Sequence, residues 1–401
     1  MSFFKISDRV IEVETSANLI VNAKIKTLKK KGFSVVSLCN GEPNFETPKS
    51  IINAAKKALY KGVSKYTSVE GKDDLLKSIQ FKMKNDLGLS YDKDQIIASI
   101  GVKGVLSLAI DSLINPGDEV VLLAPYWGTY LVQVKLACGI PIIVNGKFEN
   151  RCIPNIEDIK KALSLKTKLI IINSPNNPAG YVLNEDYLNK IMKLIENTSI
   201  FVISDEIYES LLFNNLKHIS PACLSSNAYN RTLVLIGASK SYAMTGWRVG
   251  VGAGPEKLIK AMIKLQGQRY SCITSIAQSA AAFAFYESLP VKNTILNMKK
   301  SYYYRYNFLE KFMINLPKVN YCKSQGTFFV LLDFSIWIGK KHRGCELKND
   351  IDLANRLLTE AYVAVIPGSF FGMPNTIRIS LSSSLISIKE GLNRIAKWLN
   401  S

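Results

Sequence analysis

An α/β fold is what this 401-residue sequence predicts: a mostly parallel, seven-stranded sheet between helices, joined to a smaller α/β unit. Three observations carry it. Between Gln95 and Ala253 short, near-continuously apolar runs recur, the pattern of strands buried on both faces. Stretches with apolar residues at helical spacing separate many of those runs. The chain is also too long for one ordinary core, so two domains are expected.

In chain order, Ala17 to Lys31 reads as a helix that stops at Gly32, and Val35 to Leu38 as a short strand delivering the turn Asn40-Gly-Glu-Pro-Asn-Phe45. Helices follow near Pro48 to Lys61 and, after the loop Lys65 to Gly71, to Asp86. The strands of the sheet are then Gln95–Ile100, Glu119–Ala124, Ile140–Asn145, Lys168–Asn173, Ile200–Ser204, Thr232–Ile236 and Val249–Ala253. Helices Val102–Ile114, Gly128–Leu136, Ile156–Leu163 and Asn184–Glu196 lie between them. Beyond Pro255 helices dominate, and Pro290 to Leu316 has the length of a helix bridging two domains. Thr327–Asp333, Val363–Ile366 and Thr376–Ile379 are strands of the smaller unit, closed by a helix from Ser387 to Asn400. The expected division is a small domain from both chain ends, 1–46 and 300–401, and a large domain of 47–299.

Composition removes several classes of function. The formal charge of +19 comes from lysines scattered over helical faces, a solvated surface rather than a nucleic-acid interface. Only two histidines, His218 and His342, leave little room for a histidine triad, and the seven dispersed cysteines contain no CxxC pair, so no metal is expected and the thiols read as free. No apolar run approaches the ~18–20 residues of a bilayer span, and Met1 to Arg9 lacks the pattern of a signal peptide, so a cytoplasmic location is expected.

Residues with chemical potential cluster where the strands end. In parallel sheets ligands bind beyond the carboxyl ends of the strands. Lys240 leaves the strand Thr232–Ile236 among Gly237, Ala238, Ser239 and Ala243, small residues that leave room for a flat ring, and Arg248 follows. A lysine can lose its proton and condense with an aldehyde, whereas an arginine stays charged and grips phosphate, a pairing that suits pyridoxal phosphate (PLP). The turn Gly101-Val-Lys-Gly104 opens a helix whose free N–H groups favour an anion. Trp127, in Pro125-Tyr-Trp-Gly128, could stack on a ring or belong to the core. Asn173-Ser-Pro-Asn-Asn-Pro-Ala-Gly180 builds a rigid loop aiming an amide inward. Asp205, in Ser204-Asp-Glu-Ile-Tyr208, ends an apolar strand and needs a partner, either a protonated ring nitrogen or a helix N-terminus. Arg378, within Thr376-Ile-Arg-Ile-Ser380, could clamp a carboxylate or lie on an exposed sheet face.

Taken in order, these motifs, with Gly41-Glu-Pro43 and Lys65-Tyr66, resemble the class I/II aminotransferases of PLP fold type I from about Asn18 to Ser382, and most of all the bacterial aspartate aminotransferase subgroup. The resemblance implies a PLP enzyme that exchanges amino groups between amino acids and 2-oxo acids, most simply aspartate and 2-oxoglutarate, in a homodimer with shared active sites. It implies that Lys240 holds the cofactor, Asp205 pairs with its ring nitrogen, Tyr208 and Asn177 bond its phenolic oxygen, and Trp127 covers its ring. By the same likeness Arg248 and the Gly101-Val102-Lys103 turn bind the phosphate with Tyr66 of a neighbouring subunit, Gly41 and Arg378 receive the substrate α-carboxylate, and Lys103 faces a side-chain carboxylate. Ala179, Asn18 and Val102 depart from the family pattern: Ala179 is a mild change if the loop backbone is kept, while Asn18 and Val102 bear on the distal carboxylate and leave the PLP core untouched. Prephenate as acceptor, and a PLP-dependent lyase on the same fold, are the neighbouring readings. A DNA-binding regulator would need a helix-turn-helix domain ahead of Asn18, and Gly250-Val-Gly-Ala-Gly254 does not fit the GxGxxG of a nicotinamide enzyme.

Overall fold

The computed structural model describes residues 4–401; residues 1–3, assigned above to the small domain, lie outside the described residues. Its centre is a sheet of β1 (Ile96–Ile100), β2 (Glu119–Ala124), β3 (Ile140–Asn145), β4 (Thr167–Asn173), β5 (Phe201–Asp205), β6 (Thr232–Gly237) and β7 (Val249–Ala253). The spatial order is β1-β7-β6-β5-β4-β2-β3. Strand β7 runs antiparallel to β1 and β6, and the other neighbours pair in parallel. Every residue of β6 and β7 is buried, as their continuous apolar runs require once helices cover both faces.

One reversed strand has a consequence for the site. Because β7 is antiparallel, its first residue, Val249, pairs with Ile100 at the carboxyl end of β1, and Gly250 pairs with Gly237 at the carboxyl end of β6. Arg248 thereby arrives at the edge where the parallel strands deliver their last residues. Helix α1 (Gly101–Leu113) begins at that edge and packs across β7. The approach is so close that a Cβ on Gly250 would stand 2.2 Å from the carbonyl carbon of Gly101 and from the nitrogen of Val102.

A second, antiparallel sheet has the order Ile366–Pro367, Thr376–Ser380, Phe329–Asp333, Asn320–Tyr321. The apolar run Val363 to Ile366, expected as one strand, divides between two sheets. Val363 and Ala364 pair in parallel with Val36 and Ser37, while Ile366 and Pro367 pair with Arg378 and Ile377. An apolar run signals extended, buried chain without specifying its neighbour. The helix Leu289–Phe312 buries Val291, Ile295, Met298, Tyr302, Arg305, Tyr306 and Leu309, a stripe at spacings of three and four, against the helices Lys49–Tyr60 and Leu385–Leu399. All seven cysteines are free.

The Gly250 contact sets the first test. Gly250→Ala should lower the unfolding free energy by about 1–3 kcal/mol, the usual cost of overpacking, because both obstructing atoms are backbone. Gly246→Ala, where a Cβ meets nothing within 4 Å, should stay within about 0.5 kcal/mol in the same denaturant titration.

Candidate active site

The carboxyl edge of the large sheet opens into a cavity of about 260 Å³ lined by Gly41, Val102, Lys103, Trp127, Asn177, Asp205, Tyr208, Lys240, Arg248 and Arg378. These are the residues singled out in the sequence, gathered from β1, β2, β4, β5, β6, the start of β7 and the second sheet. Gly101 supports the cavity without lining it. Its φ is +74°, and a Cβ there would come within 2.5 Å of an Arg248 guanidinium nitrogen. Arg248 is itself held at φ +58°, in the left-handed region, with its carbonyl accepting the Gly101 N–H at 3.1 Å. Tyr66 is the one proposed site residue that lies apart: its side chain is 89% exposed and does not line this cavity.

Charge decides what the cavity can hold. Lys103, Lys240, Arg248 and Arg378 face it, with Asp205 as the single lining carboxylate. None of the four cations has a carboxylate within ion-pair distance among the described residues; Lys240, Arg248 and Arg378 bond carbonyls and an amide instead, and Lys103 lies over the Trp127 ring. Arg378 is the sharpest case. It is 2% exposed, its Nη1 donates to Asn177 Oδ1 at 3.0 Å, its Nη2 donates to the Cys39 carbonyl at 3.2 Å, and its Nε is left without a partner. The rings of Phe329 and Phe371 sandwich it at 4.3 and 4.8 Å. Burial pulls its proton affinity down to about 10, so it stays charged at neutral pH. A desolvated cation in that state calls for an anion.

Lys240 and Asp205 are tuned in opposite directions. Burial lowers the Lys240 ammonium to about 8, with Arg378 and Arg248 adding to the effect against Glu42 and Asp205. Its Nζ donates to the Gly41 carbonyl at 2.7 Å. Burial likewise raises Asp205, to about 6, and two donors limit the rise: the Tyr130 hydroxyl at 2.6 Å from Oδ2 and the Ile207 N–H at 3.2 Å from Oδ1. A cation set beside Asp205 would hold it ionised. Tyr208 is buried against Phe328 and Phe329, which pushes its phenol far above the ordinary range and keeps it a donor. Lys103 reaches over Trp127, 5.2 Å from the ring centroid, and burial beside Arg248 lowers its proton affinity.

Six lining residues were given no role in the sequence reading: Tyr130, Asn173, Ile207, Ser239, Thr245 and Phe329, although Asn173 and Ser239 stood in the motifs quoted there. Tyr130 stands in the first turn of the helix Thr129–Leu136, which begins after Trp127, and its ring meets that of Trp127 edge-on at 5.6 Å. Asn173 ends β4 and orders the loop, donating to the Asp205 carbonyl at 2.9 Å and accepting the Asn177 N–H at 2.8 Å.

The donor set fits a ligand bearing a phosphate, a basic ring nitrogen and an aldehyde. Arg248 and the first amides of α1 suit the phosphate, Asp205 the ring nitrogen, and the Lys240 amine the aldehyde. Arg378 remains for a second anion, a substrate carboxylate.

Comparison with known proteins agrees. Residues 34–395 match the family described as aminotransferase class I and II. The chain is 38% identical to the aspartate aminotransferase of Bacillus sp. (strain YM-2) over 394 residues, 98% of this chain and 99% of that protein. It is 38% identical to the probable aspartate/prephenate aminotransferase of Rhizobium leguminosarum bv. phaseoli over 396 residues, 98% of each. The solved structure of the aspartate aminotransferase from Rhizobium meliloti superposes with a TM-score of 0.95 at 31% identity, covering 99% of both chains.

The lowered proton affinity of Lys240 gives a direct measurement. In the full-length chain freed of cofactor, acylation of Lys240 should rise with pH through a midpoint near 8, against the ordinary lysine value of 10.5. Below that midpoint the amine holds its proton and is unreactive. Peptide mapping across a pH series checks it.

Proposed function

Because the chain belongs to the class I and II aminotransferases, we propose that it moves the amino group of aspartate to 2-oxoglutarate, giving oxaloacetate and glutamate in ping-pong order. That it is a PLP-dependent aminotransferase acting on amino acids and 2-oxo acids comes with the family. The carrying observation for the site is the cation excess: Arg378, Lys103, Lys240 and Arg248 around one carboxylate. Two relatives whose printed names include aspartate, together with Lys103 free of any carboxylate, support the substrate.

Each side chain then has a task. Arg378 clamps the α-carboxylate, with Asn177 holding one arm of its guanidinium and Gly41 closing the same side. Arg248, Val102 and Lys103 with the Gly101 turn hold the phosphate, joined by Tyr66 of a second subunit. Asp205, braced by the Tyr130 hydroxyl, keeps a proton on the ring nitrogen. Tyr208 would donate to the phenolic oxygen with the free amide of Asn177 beside it, and Trp127 would cover the ring. When bound, PLP supplies an aldehyde carbon and a cationic ring that withdraws electrons from the substrate Cα. The Lys240 amine, neutral often enough at its lowered affinity, would take the proton from the substrate Cα and return it at the cofactor's aldehyde carbon.

The same reading includes a homodimer, a cytoplasmic location, and two units, 47–299 and 1–46 with 300–401. Among the described residues no helix is long and apolar enough to cross a membrane, and no cluster of His, Cys, Asp or Glu could hold a metal. A second cavity of about 190 Å³ shares Asn18, Lys103, Trp127 and Arg378 with the first. It favours prephenate, a larger acceptor, as the alternative.

Purified protein with PLP and aspartate should convert 2-oxoglutarate to glutamate faster than it aminates prephenate, without releasing ammonia. The reverse ranking would assign prephenate, and ammonia release a lyase. Lys240→Ala should abolish transfer. Arg378→Ala should raise KM for every amino-acid substrate by about 10- to 100-fold, the loss of a charge-assisted clamp; an unchanged KM would remove Arg378 from substrate binding.

A further inference from the structure

Apart from the cavity, and contributing none of its lining residues, an ion cluster gathers around Lys82 of the helix Asp73–Leu87. The Lys82 side chain is fully buried, and its Nζ stands 2.7 Å from Asp86, 3.1 Å from Glu209 and 3.2 Å from Glu287. Glu287 also accepts the hydroxyl of Tyr242, which is 0% exposed, at 2.5 Å, and the Lys82 ammonium lies 5.5 Å from the Tyr242 ring. Glu209 is 6% exposed and accepts the Ser210 hydroxyl at 2.9 Å. Such a cluster is a poor source of stability, because desolvating the ions costs about as much as their attraction returns.

Its placement suggests another use. Glu209 is bonded to Tyr208 through the chain, and Tyr242 stands two residues beyond Lys240. The turn after β5 and the turn after β6 are thus both tied to one ammonium on the helix Asp73–Leu87. Lys240 sits in a single helical turn, Ala238–Ser241, too short to hold its own orientation. Apolar packing of Tyr242 against Phe285 would bury the ring but not fix its direction; the bond to Glu287 does.

We propose that Lys82 is a positioning residue: through Glu209 it registers the Tyr208 turn, and through Glu287 and Tyr242 it registers the Lys240 turn, so that both side chains meet the cofactor in one fixed geometry. The proposal rests on the roles given to Lys240 and Tyr208 above. It requires that loosening the cluster impair chemistry more than binding, since small misplacement of a reacting group is costly while Arg378 is unaffected.

The test uses Tyr242→Phe and Glu287→Gln, which keep ring and volume, alongside Lys82→Met, which leaves buried carboxylates unpaired and is the variant most at risk of not folding. In folded holoenzyme of the first two, kcat should fall about tenfold while the amino-acid KM stays within about twofold. In the full-length chain without cofactor, the midpoint for Lys240 acylation should move up from near 8 toward the ordinary 10.5 as the amine gains water. A stability role alone would lower the melting temperature and move neither. If kcat or the midpoint stays at the wild-type value in both variants, the proposal fails, whatever their stability. An inactive wild-type enzyme, or an active Lys240→Ala, would instead remove the catalytic assignment beneath it.

Discussion

Taking the ε-amine of Lys240 out of water, on the same cavity wall as Arg378 and Arg248, brings its proton affinity down to about 8. Without that shift almost every molecule at neutral pH would carry an inert ammonium. Burial is the main cause of the shift and neighbouring positive charge adds to it, yet these oppose each other, since cations gathered in a dry pocket repel. Asp205 cannot balance them alone, being itself pushed up to about 6 by burial. Anionic ligands would resolve the conflict: a phosphate near Arg248 and a carboxylate on Arg378 would neutralise the wall, and a cationic ring nitrogen would keep Asp205 ionised.

The fold assembles this set by one irregularity in an otherwise parallel sheet. Parallel strands carry Asn173, Asp205 and the Lys240 turn to one edge, and the reversed β7 brings Arg248 to the same edge from the other direction. The close passage of α1 over Gly250 places its first amides beside that guanidinium. From the second sheet comes Arg378, and from the segment Cys39 to Gly41 come the carbonyls that receive both Arg378 and Lys240. A short stretch of backbone near the start of the chain therefore touches the buried guanidinium of Arg378 and the amine of Lys240 together.

Much of this was legible in the sequence because it is local. Asp205, Lys240 and Arg248 adjoin apolar strands and small residues, so their strand-end positions could be read directly. Arg378 was ambiguous, since a strand alternates faces and the residue alone does not say which face is buried. Tyr130 was missed because its bond to Asp205, 75 residues further along the chain, has no local trace. Of the Lys82 cluster only the i,i+4 pair with Asp86 is local; Glu209, Tyr242 and Glu287 join it from three other segments, and pairing between distant carboxylates and lysines leaves no periodic trace. The split of Val363 to Ile366 between two sheets was hidden for a similar reason, because strand partners are chosen by tertiary packing.

The central claim is a covalent bond at one position. Borohydride treatment of the holoenzyme, followed by proteolysis and mass mapping, should place a single pyridoxyl group on the peptide containing Lys240. A label on any other lysine, or no label at all, would contradict the account.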